Sequence, residues 1–196
     1  MTAVKTDQKA RQTAAHSKAE ALAQAKRLAP HIAARIGSTP STKFRGDPDL
    51  FGRLVADHDH HRALLAMIEG TSGDSDDRRQ LFAEMAAEMQ AHAAAEEQAL
   101  WSAVLRNPDT TDHGRHAVAE HKEIDDLIEE LSEADMASPG WLRRFAKLKE
   151  KYLHHIQEEE QEQFVAAEKH LSPSDLRQLH SVFNRRKRAE KAGTAH

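Results

Sequence analysis

The chain has 196 residues, with 28 Lys and Arg against 32 Asp and Glu, 14 His and no Cys. That length suits one domain of ordinary size with a real core. The missing cysteines exclude a disulfide scaffold, thiolate zinc sites, cysteine-ligated iron–sulfur clusters and a cysteine nucleophile. No apolar run approaches the ~20 residues of a membrane span, and the first residues lack an apolar signal core, which predicts a cytoplasmic protein.

Charge is unevenly spread. Residues 1–46 carry nine Lys or Arg and two acids, and residues 185–196 carry five and one. The stretch between them holds 14 bases against 29 acids, so an acidic body has two basic ends. Such ends bind anionic partners or fold back on the body. Their charges come without an interleaved aromatic series for stacking bases, so nucleic acid is not an expected partner.

Eight Gly, six Pro and 5% aromatic residues, beside abundant Ala, Leu, Glu, Lys and Arg, favour helices. Asp47-Pro48-Asp49 predicts a helix start, with Asp as N-cap and Pro at the first helical position. The helix that follows, to about Glu69, aligns Leu54, His58, His61, Leu65 and Ile68. Gly70 to Ser75 is rich in turn residues. A second helix over about 77–106 places Leu81, Met85, Met89, His92, Glu96, Leu100 and Ala103 on one stripe. Asn107-Pro108-Asp109 ends it. The third, about 111–134, aligns Val118, His121, Ile124, Ile128 and Leu131. Ser138-Pro139 predicts the start of the fourth, with Phe145, Leu148, Tyr152, His155 and Glu159 in phase. Ser172-Pro173 opens a fifth. Short loops make neighbouring helices antiparallel. The expected fold is therefore all-α, an up-down-up-down four-helix bundle with a short fifth helix and an N-terminal extension. Its expected organisation is a basic extension over 1–46, helical in part near Ala14–Ala29, a metal-binding bundle over 47–171, and the short helix with a basic tail over 172–196.

Polar residues interrupt the apolar stripes. Each of the four helices places one His among its core residues: His58, His92, His121 and His155. Two are followed by a carboxylate four residues on, Glu96 after His92 and Glu159 after His155, and an i, i+4 pair shares one helix face. A buried Glu is costly unless it is paired or coordinated. Counting about 1.5 Å per residue from the turns puts all six at a common height in the bundle. Four imidazoles and two carboxylates exceed a closed four-ligand zinc site. They suit two six-coordinate ions bridged by Glu96 and Glu159, and the donor types fit iron, manganese or zinc.

At these residues the sequence resembles the hemerythrin-like, or HHE cation-binding, family. The stretches that carry the resemblance are Leu54-Val55-Ala56-Asp57-His58, His92-Ala93-Ala94-Ala95-Glu96-Glu97, Glu120-His121-Lys122-Glu123-Ile124 and His154-His155-Ile156-Gln157-Glu158-Glu159. The resemblance implies a non-haem centre of two iron ions, with His58, His92, His121 and His155 as terminal ligands and Glu96 and Glu159 as bridges. Oxygen-carrying hemerythrins add a fifth His from a His-x3-His pair and a His-x4-Asp motif. Here His116 and His121 are five apart, about 140° out of phase, and Glu159 or Glu160 stands at the Asp position. A shell of this kind leaves open positions where peroxide, oxygen or nitric oxide binds. The resemblance thus implies either catalase-like decomposition of hydrogen peroxide or a non-enzymatic oxygen, nitric oxide or iron sensing module. The best-known relatives that repair iron–sulfur clusters carry an extra Cys-bearing N-terminal domain, and this chain has no Cys.

Of the other histidines, His61 lies one turn after His58 and is the candidate additional ligand. His60 and His154 point about 160° and 100° from the stripe, toward the surface or behind the ligands. Tyr152 reads as a core aromatic with a satisfied hydroxyl, Glu97 and Glu158 as solvated, and Met67, Met85 and Met89 as core filling.

Overall fold

The computed structural model describes residues 41–193, and the Ala-rich segment near 14–29 lies outside them. Among the described residues all regular structure is helical. Helix α1 spans Leu50–Glu69. Helix α2, Asp76–Glu96, runs on through a π-helical turn, Glu97–Trp101, and a short segment, Ser102–Val104. Helix α3 is Thr111–Glu133. Helix α4, Trp141–Glu158, continues through a second π-helical turn, Glu159–Gln163, into Phe164–Glu168. Helix α5 is Pro173–Gly193. The first four make the up-down-up-down bundle, and none of the described helices is long and apolar enough to cross a membrane.

The helix starts follow local chemistry, with small shifts from the sequence expectation. Ser75 caps α2 by accepting from Arg78 N at 3.2 Å, and Asp76 and Asp77 occupy its first turn. Helix α1 begins after Asp49 rather than at Pro48, because Asp47 turns its side chain onto Asp49 N at 2.9 Å and closes a turn first. Helix α4 begins at Trp141, whose N–H bonds the Ser138 carbonyl at 3.1 Å.

The core divides into two apolar layers. One gathers Leu64, Leu65, Ile68, Met85, Met89, Ile124, Trp141 and Phe145. The other gathers Phe51, Leu54, Leu100, Trp101, Phe164 and Phe183. Phe44, in the stretch read as an extension, packs into this second layer 4.7 Å from the Phe51 ring. Between the layers lies a buried polar layer of His and Glu side chains. Far from it, buried Arg78 ties two loops together through Thr71 Oγ1, Thr71 O and Met136 O while lying over Trp141.

The largest departure is α5. The expected short helix with a basic tail is a 21-residue helix that takes in the basic residues. They fold back on the acidic body: Arg186 reaches Gln98, and Lys187 reaches Asp57 and Glu88. Phe183 and Lys187 are the side chains α5 buries.

Gly52 allows the chain entering α1 to lie against the helix, since a Cβ there would stand 2.0 Å from the Asp47 carbonyl oxygen. Gly52→Ala gains at most about 1 kcal/mol of helix propensity, while the displaced backbone costs more. The expected net effect is a loss of about 1–2 kcal/mol, read from urea unfolding.

Candidate metal centre

The four stripe histidines and two carboxylates meet in the layer between the apolar clusters. His58, His92 and Glu96 each bring a donor atom within 4.8 Å of the others, and so do His121, His155 and Glu159. Within the first group, His92 Nε2 is 3.3 Å from Glu96 and 3.1 Å from His58 Nε2. Within the second, His155 Nε2 is 3.4 Å from Glu159. The carboxylates also cross between groups, with Glu96 3.5 Å from His121 Nε2 and Glu159 3.3 Å from His58 Nε2. Bonds of about 2.0–2.2 Å to one ion put neighbouring donors about 3 Å apart, so these spacings fit metal ligation. Each carboxylate faces both groups, the placement a bridge needs.

The imidazoles are oriented from behind. His58 Nδ1 donates to Glu160 at 2.9 Å, His92 Nδ1 to Asp57 at 3.1 Å, His121 Nδ1 to Glu97 at 3.0 Å, and His155 Nδ1 to Glu120 at 2.9 Å. An ionised carboxylate only accepts, so each bond keeps a proton on Nδ1 and turns Nε2 inward, where it can ligate a metal once it carries no proton. Every one of these bonds runs between helices: α1 holds a His of α2, α2 of α3, α3 of α4, and α4 of α1. Three of the four carboxylates have a cation behind them. Lys187 and Arg53 back Asp57 at 2.7 and 2.5 Å, Arg62 backs Glu160 at 2.9 Å, and Lys151 backs Glu120 at 2.8 Å.

The electrostatics favour positive charge at the centre. Glu96 and Glu159 are fully buried, and none of their four carboxylate oxygens has a hydrogen-bond partner. Burial alone would raise the Glu96 carboxyl, but the His92 and His121 imidazoles beside it, at 3.3 and 3.5 Å, hold it well below the usual range. Burial and the neighbouring Glu96 charge push Glu159 well above it. Burial also works against protonated His121, yet Glu96 and Glu97 outweigh it and lift that imidazole to about 9. Burial brings His155 down to about 4. Protons thus occupy the centre where a metal ion would put positive charge.

The remaining candidates separate cleanly. His61 is buried and bonds the Tyr152 hydroxyl through Nδ1 at 2.5 Å, standing outside both donor groups. Tyr152 is the expected core aromatic with its hydroxyl satisfied. His154 is exposed, but His60 is buried, because α5 covers the face of α1 that the sequence left open. Glu97 and Glu158, read as solvated, instead engage His121 and His116. Sequence reasoning missed Asp57, Glu97, Glu120 and Glu160 as supports. The signal was adjacency: each sits next to a stripe residue in the chain. The two π-helical turns were missed as well. They begin after Glu96 and at Glu159, and the wider turn lets two consecutive glutamates serve the layer.

A helical bundle with a dry layer of imidazoles and bridging-placed carboxylates belongs to the class of metal-cation-binding bundle proteins. The family described as hemerythrin HHE cation binding domain matches residues 49–167, more than half of the chain, and the chain belongs to that family. Among solved structures, a hemerythrin HHE cation binding domain-containing protein from Mycobacterium kansasii superposes with a TM-score of 0.65. It is 21% identical, and the match covers 78% of this chain and 89% of that one, which shows the shared fold. No curated protein matches the sequence significantly.

Two outcomes are expected from this geometry. His121, lifted to about 9, holds a proton at neutral pH, and burial with the Glu96 charge favours the protonated form of Glu159. Ferrous loading at pH 7 should therefore release at least one proton per chain, and affinity should rise with pH. The sign carries to stability. For His121, raised above its unfolded value of 6.5, stabilisation is full below pH 6.5 and lost as pH climbs through about 9. The metal-free protein should weaken over that window, as followed by thermal melts. Lys187→Met removes the cation that Asp57 and Glu88 share and leaves each with one, Arg53 and Lys191, at a cost of about 1.5–3 kcal/mol. Iron should also leave this variant faster when a chelator is added.

Proposed function

We propose that the layer holds two iron ions, bridged by Glu96 and Glu159, with His58 and His92 on one and His121 and His155 on the other. The observation that carries this is the set of four unpartnered carboxylate oxygens facing four inward Nε2 atoms in a fully buried layer. Two imidazoles and two bridging oxygens give each ion four donors, short of the six that iron accepts, which leaves positions for a small molecule. His61, outside both groups, is assigned to holding the Tyr152 hydroxyl beside the layer.

The reaction we assign is decomposition of hydrogen peroxide. Iron, when bound, supplies a one-electron valence change at each of two ions, which matches the two-electron chemistry of an O–O bond. The chain's part is to orient and to exclude. The four outer carboxylates fix the imidazole lone pairs, and the apolar layers above and below keep bulk water from the centre. The Tyr152 hydroxyl stays protonated, since burial holds it well above its usual value. It is therefore a hydrogen-bond donor or acceptor rather than an anion. This support is equally compatible with binding oxygen or nitric oxide without turnover, and the test separates the two.

Elemental mass spectrometry on untagged protein should find about two irons per chain, the number of donor groups the geometry sets out. The iron-loaded protein should then evolve oxygen from hydrogen peroxide well above an equal amount of free iron. His92→Ala and His155→Ala should each lower iron to about one ion or less with the helical circular dichroism kept. A stable adduct with nitric oxide or oxygen and no peroxide turnover would assign the protein to sensing or binding. One zinc or no metal after anaerobic ferrous loading would overturn the redox reading altogether.

A further inference from the structure

We infer that His116, Glu120 and Glu158 form a second cation site on the outer face of α3 and α4, suited to one borderline divalent transition metal. The site uses none of the six candidate ligands of the buried layer and meets it only through Glu120, which also bonds His155, and the inference holds whatever metal that layer contains. Each of the three residues brings a donor atom within 4.8 Å of the others. His116 Nε2 lies 3.0 Å from Glu158 Oε2 and 3.6 Å from Glu120 Oε2. A tetrahedral ion with bonds of about 2.0–2.1 Å needs donors about 3.3 Å apart, and these two separations bracket that value. His154 Nε2 stands 3.4 Å from the other oxygen of Glu158, so a second imidazole is in reach.

The sequence spacing repeats the buried pattern. His116 and Glu120 are four apart on α3, and His154 and Glu158 are four apart on α4, the same His-x3-Glu arrangement as His92 with Glu96 and His155 with Glu159. His154 precedes His155 by one residue, about 100° of helix, which turns the second pair to the outside. Glu120 is buried and fixed in place by Lys151 on its Oε1 and by His155 on its Oε2. Its remaining lone pair and the exposed His116 form a rigid back and an open front, accessible to a cation from solvent. Imidazole with carboxylate selects zinc, ferrous iron or manganese over calcium. The comparable group His60, Glu84 and Glu88 differs, because lysines take both oxygens of Glu88, Lys187 at 2.9 Å and Lys191, whereas Lys151 takes only Oε1 of Glu120.

The test uses the full chain as purified, with its metal content measured first and again after a Zn²⁺ titration followed by calorimetry. Co²⁺ absorption serves as a second probe of ligand geometry. One additional Zn²⁺ per chain is expected with micromolar affinity and no loss of the metal first present. His116→Ala and Glu158→Gln should each weaken that event about tenfold or more, as removal of one ligand does. His154→Ala should weaken it less, and His180→Ala should leave it unchanged. The inference is overturned if no further Zn²⁺ binds, if His116→Ala and Glu158→Gln bind it as the parent does, or if Zn²⁺ uptake is matched by loss of the original metal.

Discussion

Two glutamates facing one another in a dry interior set the terms for the rest of this molecule. Glu96 and Glu159 are fully buried, their four oxygens accept no hydrogen bond, and the Glu96 charge adds to burial in raising the cost of ionising Glu159. An uncompensated carboxylate pair in such surroundings costs several kcal/mol. The fold tolerates it where positive charge is supplied beside the pair, by a proton on His121 or by a bound cation. The layer is therefore a weak point of the metal-free protein and a strong point of the loaded one, since binding energy at a site absent from the unfolded chain is folding energy.

Around that pair the bundle is tied into a closed circuit. A carboxylate from each helix holds the Nδ1 of a histidine on the next, and α4 returns the tie to α1. Ordinary bundle packing allows helices to slide and rotate by small amounts, because apolar contacts are not directional. Hydrogen bonds to fixed imidazoles remove that freedom at the height of the metal layer. The circuit is open at one place. Asp57, Glu160 and Glu120 have cations behind them, whereas Glu97, which holds His121, is about two-fifths exposed to solvent. His121 is accordingly the ligand candidate whose support depends most on water and ionic strength.

Much of this was legible in the chain because helical phase is a strong signal. One histidine on each apolar stripe, with two His-x3-Glu pairs, places six residues in a single layer by helical phase alone. The four supporting carboxylates were harder to read, because each acts across a helix interface. Asp57 precedes His58 in sequence yet serves His92, and Glu120 precedes His121 yet serves His155. Adjacency in the chain points to the right height but not to the partner. The π-helical turns were invisible for a related reason: a 3.6-residue period assumed throughout cannot reveal where one residue has been inserted. Helix α5 was underestimated because its basic surface looked like a tail. What makes it part of the body is the pair Phe183 and Lys187, four residues apart and so on one face. The Phe183 ring lies 5.5 Å from that of His92, and Lys187 bonds the carboxylate behind the same histidine.

The histidine excess acquires a finer meaning once the two faces of α3 and α4 are compared. The same spacing, His followed by Glu after one turn, occurs toward the core and toward solvent, and what distinguishes the two is desolvation. Inside, the carboxylates lose all hydrogen-bonding partners, and the compensating charge must come from the layer itself. Outside, His116 and His154 are exposed and Glu158 is partly so, and water and Lys151 supply part of the compensation. Glu120 belongs to both faces, with one oxygen within bonding distance of His155 and near His116. A change in charge on the outer face therefore acts on the carboxylate that orients a histidine of the buried layer, across a single side chain.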